Sequence, residues 1–215
     1  MKNIKKKIKL IKCNIGQNSR ILKKIKFNLV FHLAALTSVK ESEIKPKKYF
    51  LNNYVYSKKL FKTLNLIHTE KVIYAASSSC YGNTGNKIIN ENHKIRPISA
   101  YARSKLKTEI FLKKYLKRKK IGFISLRLFN VYGPRSSNDM YSGVINKFIK
   151  NYLNKRKLEI YSDGKQTRSF IYISDVIRAF VILAENKIKN QIFNVGSLKS
   201  FSINYLAKFF KIDKI

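Results

Sequence analysis

Tyr101 and Lys105 stand four residues apart, the spacing that puts two side chains on one face of a helix. A phenol is a poor base near its ordinary pKa of about 10. A neighbouring ammonium favours the phenolate and lowers that value. A serine hydroxyl beside the pair can share the proton and orient an alcohol, and Ser77, Ser78 and Ser79 offer themselves. Such a group suits removal of a proton from an alcohol while hydride leaves the same carbon. No side chain accepts hydride, so the chemistry implies a nicotinamide. Taken alone, the tyrosine–lysine pair reads as an exposed helix surface, and the serines read equally as a cap on a strand end.

These residues need a scaffold, and the apolar pattern provides one. Residues 8–13 and 28–35 read as strands, the second ending in small residues. Residues 49–68 carry apolar side chains at helical spacing, 71–76 form a buried strand, 100–119 a helix and 122–129 a third buried strand. Buried strands alternating with helices imply an α/β fold whose parallel sheet is covered on both faces. Beyond Gly133-Pro134 the pattern gives helices over 141–152, 174–185 and 202–210, and strands over 158–161, 168–173 and 191–195. Ligands of doubly wound sheets gather at the carboxyl ends of the strands. Three strand ends carry unusual residues: His32-Leu33-Ala34-Ala35, Ser77-Ser78-Ser79 and Phe129 to Gly133.

The composition excludes several classes. The 215 residues are 45% hydrophobic and 13% aromatic, enough for a packed core rather than disorder. The formal charge of +35 first suggests a polyanion partner. Lysine, however, outnumbers arginine 37 to 9 and is spread along the whole chain, whereas phosphate and base recognition favour clustered arginine. Nucleic acid is therefore not the expected partner. Cys13 and Cys80 form no disulfide framework, which points to a reducing cytoplasm. No apolar run has the length of a membrane span. His32, His68 and His93 lack metal-ligand spacing; His32 reads as a packed strand residue and Cys80 as a core thiol.

Five segments in order make the sequence recognisable. They are Tyr74-Ala-Ala-Ser-Ser-Ser-Cys-Tyr-Gly82, Tyr101-Ala-Arg-Ser-Lys105, the run from Leu126 to Arg135, the run from Asp163 to Asp175, and Phe193-Asn-Val-Gly196. Together they resemble the extended short-chain dehydrogenase/reductases, in particular the NAD-dependent epimerase/dehydratase branch acting on nucleotide sugars. The resemblance implies a Rossmann-like sheet and NAD as cofactor. It makes Ser77, Tyr101 and Lys105 the catalytic residues, with Lys105 also anchoring the ribose. Asn14 and Ile15 would lie beside the adenine, and Leu33, Ala34 and Ala35 would admit the cofactor backbone. Asn53 would brace the site from below or touch the cofactor, and Phe129 would border the nicotinamide. Ser78 and Ser79 would face the sugar, while Asn130 and Arg168 would meet the diphosphate. Dehydratases of this branch carry acids where Ser78 and Ser79 stand, so the resemblance favours a 4-epimerase of UDP-hexose type, and it implies a homodimer built on residues 49–68 and 100–119.

The departures from the family are equally definite. Only Gly16 precedes Gly82, so the glycine-rich turn that cradles a pyrophosphate is absent from these residues. Asn14, Thr37 and Ser169 replace residues common in the family. The expectation is a chain truncated at both ends. Residues 1–133 would form a partial NAD-binding domain and 134–166 a substrate segment. Residues 167–195 would return to the first domain, and 196–215 would begin a second. An apolar edge would be left open at 28–35, and residues 8–13 would lack a neighbour. Such a chain is expected to bind NAD poorly and to need a separate N-terminal half. The alternatives are an inactive remnant, another nucleotide-sugar dehydratase or reductase, or a basic polyanion-binding module.

Overall fold

The computed structural model describes residues 8–16, 19–85, 87–136, 143–160 and 162–210. Its centre is a four-stranded parallel sheet made of β1 (Leu29–His32), β2 (Lys71–Ser77), β3 (Gly122–Leu128) and β6 (Gln191–Val195), in that spatial order. A smaller sheet joins β4 (Asn130–Tyr132) parallel to β5 (Thr167–Tyr172), with β7 (Ser200–Ser202) antiparallel on its other side. Thus the stretch 167–195 contributes one strand to each sheet.

The strand period of two sorts the core. On one face Val72, Tyr74, Ala76 and Phe123 pack with Leu60, Phe61, Leu112 and Leu116. On the other Ile73, Ile124, Leu126 and Val195 pack with Val176 and Leu183. The first face is covered by α4 (Ala100–Arg118) and α3 (Ser57–Thr63), the second by α6 (Ile173–Glu185). Lys71, buried at the start of β2, donates to the Leu183 carbonyl at 2.7 Å and so closes the C-terminal end of α6.

Two short helices lead toward the site: α1 (Val39–Ile44), capped by Ser38, and α2 (Pro46–Tyr49), which opens on its proline. A π-helical segment, Phe50–Tyr56, joins α2 to α3. The expected helix over 49–68 is therefore observed from Pro46 to Thr63, with a wider turn inside it. The remaining helices are α5 (Val144–Leu153) and α7 (Ile203–Lys208).

Two expected strands are not found. Residues 8–13 form no strand: among the described residues no ladder pairs with them, and an apolar run becomes a strand only with a hydrogen-bonded neighbour. Residues 158–160 are also irregular, and position 161 lies outside the described residues, as do 141–142 of the expected helix. Conversely β4, β7 and α1 were not expected. They run three to six residues, too short for apolar periodicity to declare itself.

Candidate active site

The serine-rich end of β2 turns into a 3-10 segment, Ser78–Tyr81. Ser77 caps it, accepting from the Ser79 amide at 3.3 Å, and its Oγ lies 2.8 Å from Ser79 Oγ. The turn ends at Gly82, with φ +75 and ψ −144, where a Cβ would lie 2.1 Å from the Arg96 carbonyl oxygen. Only glycine tolerates that conformation and that approach.

Helix α4 begins above this turn. Its first amides are satisfied from two sides: Ser99 Oγ accepts from Ala102, Glu43 from Ala100 and Ser42 from Tyr101, at 2.7–3.1 Å. This capping fixes the height at which Tyr101 meets β2, and places its phenol near enough to Ser77 for that hydroxyl to lower its pKa. Ser77 thus both caps the turn and reaches Tyr101.

Lys105 follows one turn later and is buried, its Nζ 4.4 Å from the centre of the Tyr74 ring. Burial pushes the Tyr101 phenol above its ordinary value, and the Ser77 hydroxyl pulls it partly back. Ser77, rather than Lys105, is thus what opposes the effect of burial on Tyr101. Burial also drives the Lys105 ammonium down to about 7, against a smaller upward pull from Glu109.

His32 stacks on Tyr74 at 5.5 Å, with its Nε2 2.7 Å from Ser57 Oγ. Burial first, and the nearby Lys105 charge second, lower its pKa to about 3, so it is a neutral packing residue.

Asn53 is buried beneath the site in the π-helical segment. Its Oδ1 accepts from the Leu36 amide at 2.8 Å, and its Nδ2 donates to the Leu36 carbonyl at 2.9 Å and to Ser104 Oγ at 3.0 Å. The bracing role accounts for all of these bonds. The clamp holds the loop after β1, where Leu33 and Ala34 are exposed and Ala35 is half-buried. Asn14 accepts from the Gly16 amide at 2.9 Å, and Ile15 packs against the core.

Phe129 passes from one sheet to the other, its amide bonded to the Val195 carbonyl and its ring against Gly196. Asn130 and Arg168 sit on the small sheet: Asn130 donates to the Ser169 carbonyl at 2.8 Å, and Arg168 is exposed. The structure therefore brings Ser77, Ser79, Tyr101 and Lys105 together on β2 and α4. Asn130 and Arg168 lie on β4 and β5 of the small sheet.

Sequence reasoning passed over a polar group beside them. Glu109, one further turn along α4, pairs with Arg127 of β3 at 2.7 Å, both side chains 5% exposed. Its signal was an acid at position i+4 from Lys105, in a chain with only 11 acidic residues.

A parallel sheet with a serine–tyrosine–lysine group at its carboxyl edge defines an α/β protein of dehydrogenase type. The chain belongs to the NAD dependent epimerase/dehydratase family, whose pattern matches residues 2–196. It is 33% identical over 207 residues to a dTDP-D-glucose 4,6-dehydratase of Dictyostelium discoideum, covering 91% of this chain and 46% of that one. The solved UDP-N-acetylglucosamine 4-epimerase of Methanobrevibacter ruminantium, in complex with UDP-N-acetylmuramic acid, is 37% identical. It superposes with a TM-score of 0.83 over 92% of this chain and 64% of its own. The UDP-glucuronic acid 4-epimerase of Bacillus cereus, solved with UDP-glucuronic acid and NAD, is 32% identical, with a TM-score of 0.81 over 93% of this chain and 63% of its own. The chain spans 46% to 57% of the length of several curated relatives. Among the described residues no helix is long and apolar enough to cross a membrane.

Proposed function

We propose that this chain carries the catalytic half of a nucleotide-sugar 4-epimerase acting on a UDP-hexose. The observation that carries the reading is Tyr101 placed beside Ser77, which lowers its pKa, with buried Lys105 one turn below. Ser77 orients the 4-hydroxyl and Tyr101 removes its proton. A phenolate at Tyr101 draws Lys105 to its ammonium form, and that ammonium in turn holds the phenolate. Ser78 and Ser79 are no acids near neutral pH, so nothing at those positions expels a hydroxyl. This favours epimerisation over dehydration.

NAD, where bound, supplies the acceptor and donor of hydride. Lys105 and Tyr101 would hold its nicotinamide ribose, Phe129 would border the nicotinamide, and exposed Leu33 and Ala34 would leave room for its backbone. No glycine-rich turn among these residues serves its pyrophosphate. Asn14 and Ile15 would flank the adenine, Asn53 braces the cradle, and Asn130 and Arg168 would hold the sugar's diphosphate.

We further propose residues 1–133 and 167–195 as the cofactor domain, with 134–166 and 196–215 on the substrate side. A homodimer would form across the π-helical segment and α4, where Leu51 and Ile110 are exposed. The free thiols Cys13 and Cys80 suit the cytoplasm.

The test incubates the chain with millimolar NAD and UDP-glucose or UDP-N-acetylglucosamine, following the anomeric proton signals. The 4-epimer is expected to form, and Tyr101→Phe to slow it at least about 100-fold. Undiminished turnover in that variant would overturn the reading. No epimer from either protein supports the second reading, an inactive remnant.

A further inference from the structure

Arg127 and Glu109 form a buried pair that the proposed chemistry does not use. The strand period places Ser125 and Arg127 on the α4 face of β3, the face of Phe123. There Glu109 Oε1 accepts from Arg127 Nη2 at 2.7 Å, while Oε2 accepts from Arg127 Nε at 3.2 Å and from Ser125 Oγ at 2.7 Å. The fork is two-pronged, a geometry that fixes both partners. The third guanidinium nitrogen, Nη1, donates to the Tyr81 hydroxyl at 2.8 Å. Tyr81 donates in turn to Asn194 Oδ1 at 2.8 Å. Asn194, in β6, donates its amide to Glu91 at 2.6 Å. One chain of bonds therefore runs from the middle of α4, through β3, to the end of the 3-10 segment that Ser77 caps.

Glu109 and Lys105 lie one turn apart on α4, both buried. The other groups around Lys105 are the Tyr101 phenol on α4, the Tyr74 ring on β2 and neutral His32 on β1 behind it. Of the groups acting on its charge, Glu109 favours the ammonium.

We propose that Glu109 and Arg127 are positioning residues: the Glu109 carboxylate holds Lys105 as an ammonium, and Arg127 limits that pull while tying the carboxylate to the Ser77–Tyr81 turn. This rests on the reading of Tyr101 and Lys105 as base and partner. An unopposed carboxylate one turn away would hold the Lys105 proton too firmly to respond to Tyr101. Without the carboxylate, Lys105 would be neutral at working pH and would leave a phenolate unsupported. Paired, the carboxylate attracts Lys105 through a field that Arg127 has partly cancelled.

The two members of the pair therefore predict opposite shifts, which a salt bridge too distant to act on Lys105 does not. The test titrates the full chain carrying lysine labelled with carbon-13 at Cε, identifying the Lys105 signal by its loss in Lys105→Met. The wild-type midpoint is expected near 7 rather than at the ordinary 10.5. Glu109→Gln is expected to lower it, and Arg127→Gln to raise it, each by about one pH unit. Shifts of both variants in the same direction, or in neither, would overturn the proposal. So would a wild-type midpoint at the ordinary value, a measurement that needs no variant. If Glu109→Gln does not fold, Glu109→Asp, which withdraws the charge by one carbon, is expected to give a smaller downward shift; an unmoved midpoint overturns the proposal.

The titration requires neither cofactor nor sugar, so it stands apart from the epimerase reading. Opposite shifts together with full turnover by Tyr101→Phe would sink the catalytic reading and leave the electrostatic pair intact. Where the chain turns over sugar, the acid limb of its kcat/KM profile follows the same two directions.

Discussion

At the residue scale the site holds two groups whose burial works against their charge. Burial pushes the Lys105 ammonium from its ordinary 10.5 down to about 7 in the folded chain. Between those values the unfolded chain binds more protons, so stability rises with pH across that window. Below about 7 the cost of the buried ammonium is fully present. The melting temperature is therefore expected to climb from pH 7 to pH 9, and Lys105→Met to flatten that slope while melting higher at pH 7. Calorimetry at three pH values checks it, and an unchanged slope refutes it. His32 behaves similarly on the acid side. Its pKa falls from 6.5 to about 3 on folding, so its contribution is present above 6.5 and is lost as pH falls toward 3. His32→Gln is expected to show a shallower loss of stability over that acid window, measured by urea unfolding. Both groups share the Tyr74 ring, so the two variants should not be additive.

At the scale of elements, the site depends on how the loop after β1 is held to α4. Asn53 makes three bonds across that gap, two of them to main-chain groups of Leu36. Asn53→Ala leaves those groups unpartnered, and should cost about 2–3 kcal/mol of stability by urea unfolding. A change below about 0.5 kcal/mol would mean the loop finds other partners. The strands β1, β2, β3 and β6 and the long helix α4 were legible because their apolar period repeats several times. Ser77, Tyr101 and Lys105 were legible because strand end and helix turn carry a spacing. Asn53 stood out as a site residue, either bracing it or touching the cofactor, but its partner Leu36 did not, since a main-chain partner has no side-chain signature. The Glu109–Arg127 fork was invisible for a related reason: its members lie 18 positions apart in sequence, and only the pairing of sheet and helix brings them together. Strand 8–13 failed because an apolar run becomes a strand only beside another.

For the whole molecule, charge and the open sheet edge act against each other. Strand β1 pairs with β2 alone among the described residues, and beside it Phe31 and Leu33 are 44% and 59% exposed. An unpaired apolar edge is a template for association. The net charge of +35 repels a second copy. That repulsion reaches about 10 Å at 0.1 M salt but only about 3 Å at 1 M. Association is thus expected to grow with salt, the reverse of binding to a polyanion, which salt weakens. Sedimentation at 0.1 M and 1 M salt separates the cases. Leu33→Lys should suppress association through the β1 edge, whereas Ile110→Lys should suppress only a dimer built on α4. If Ile110→Lys alone restores the monomer, the β1 edge is not the adhesive surface. NAD at millimolar concentration is expected to raise the melting temperature of this chain by no more than about a degree, because weak binding near its Kd stabilises the folded state by only about 0.4 kcal/mol. A rise of several degrees would show that the edge beside Leu33 and Ala34 holds the cofactor without a glycine-rich turn.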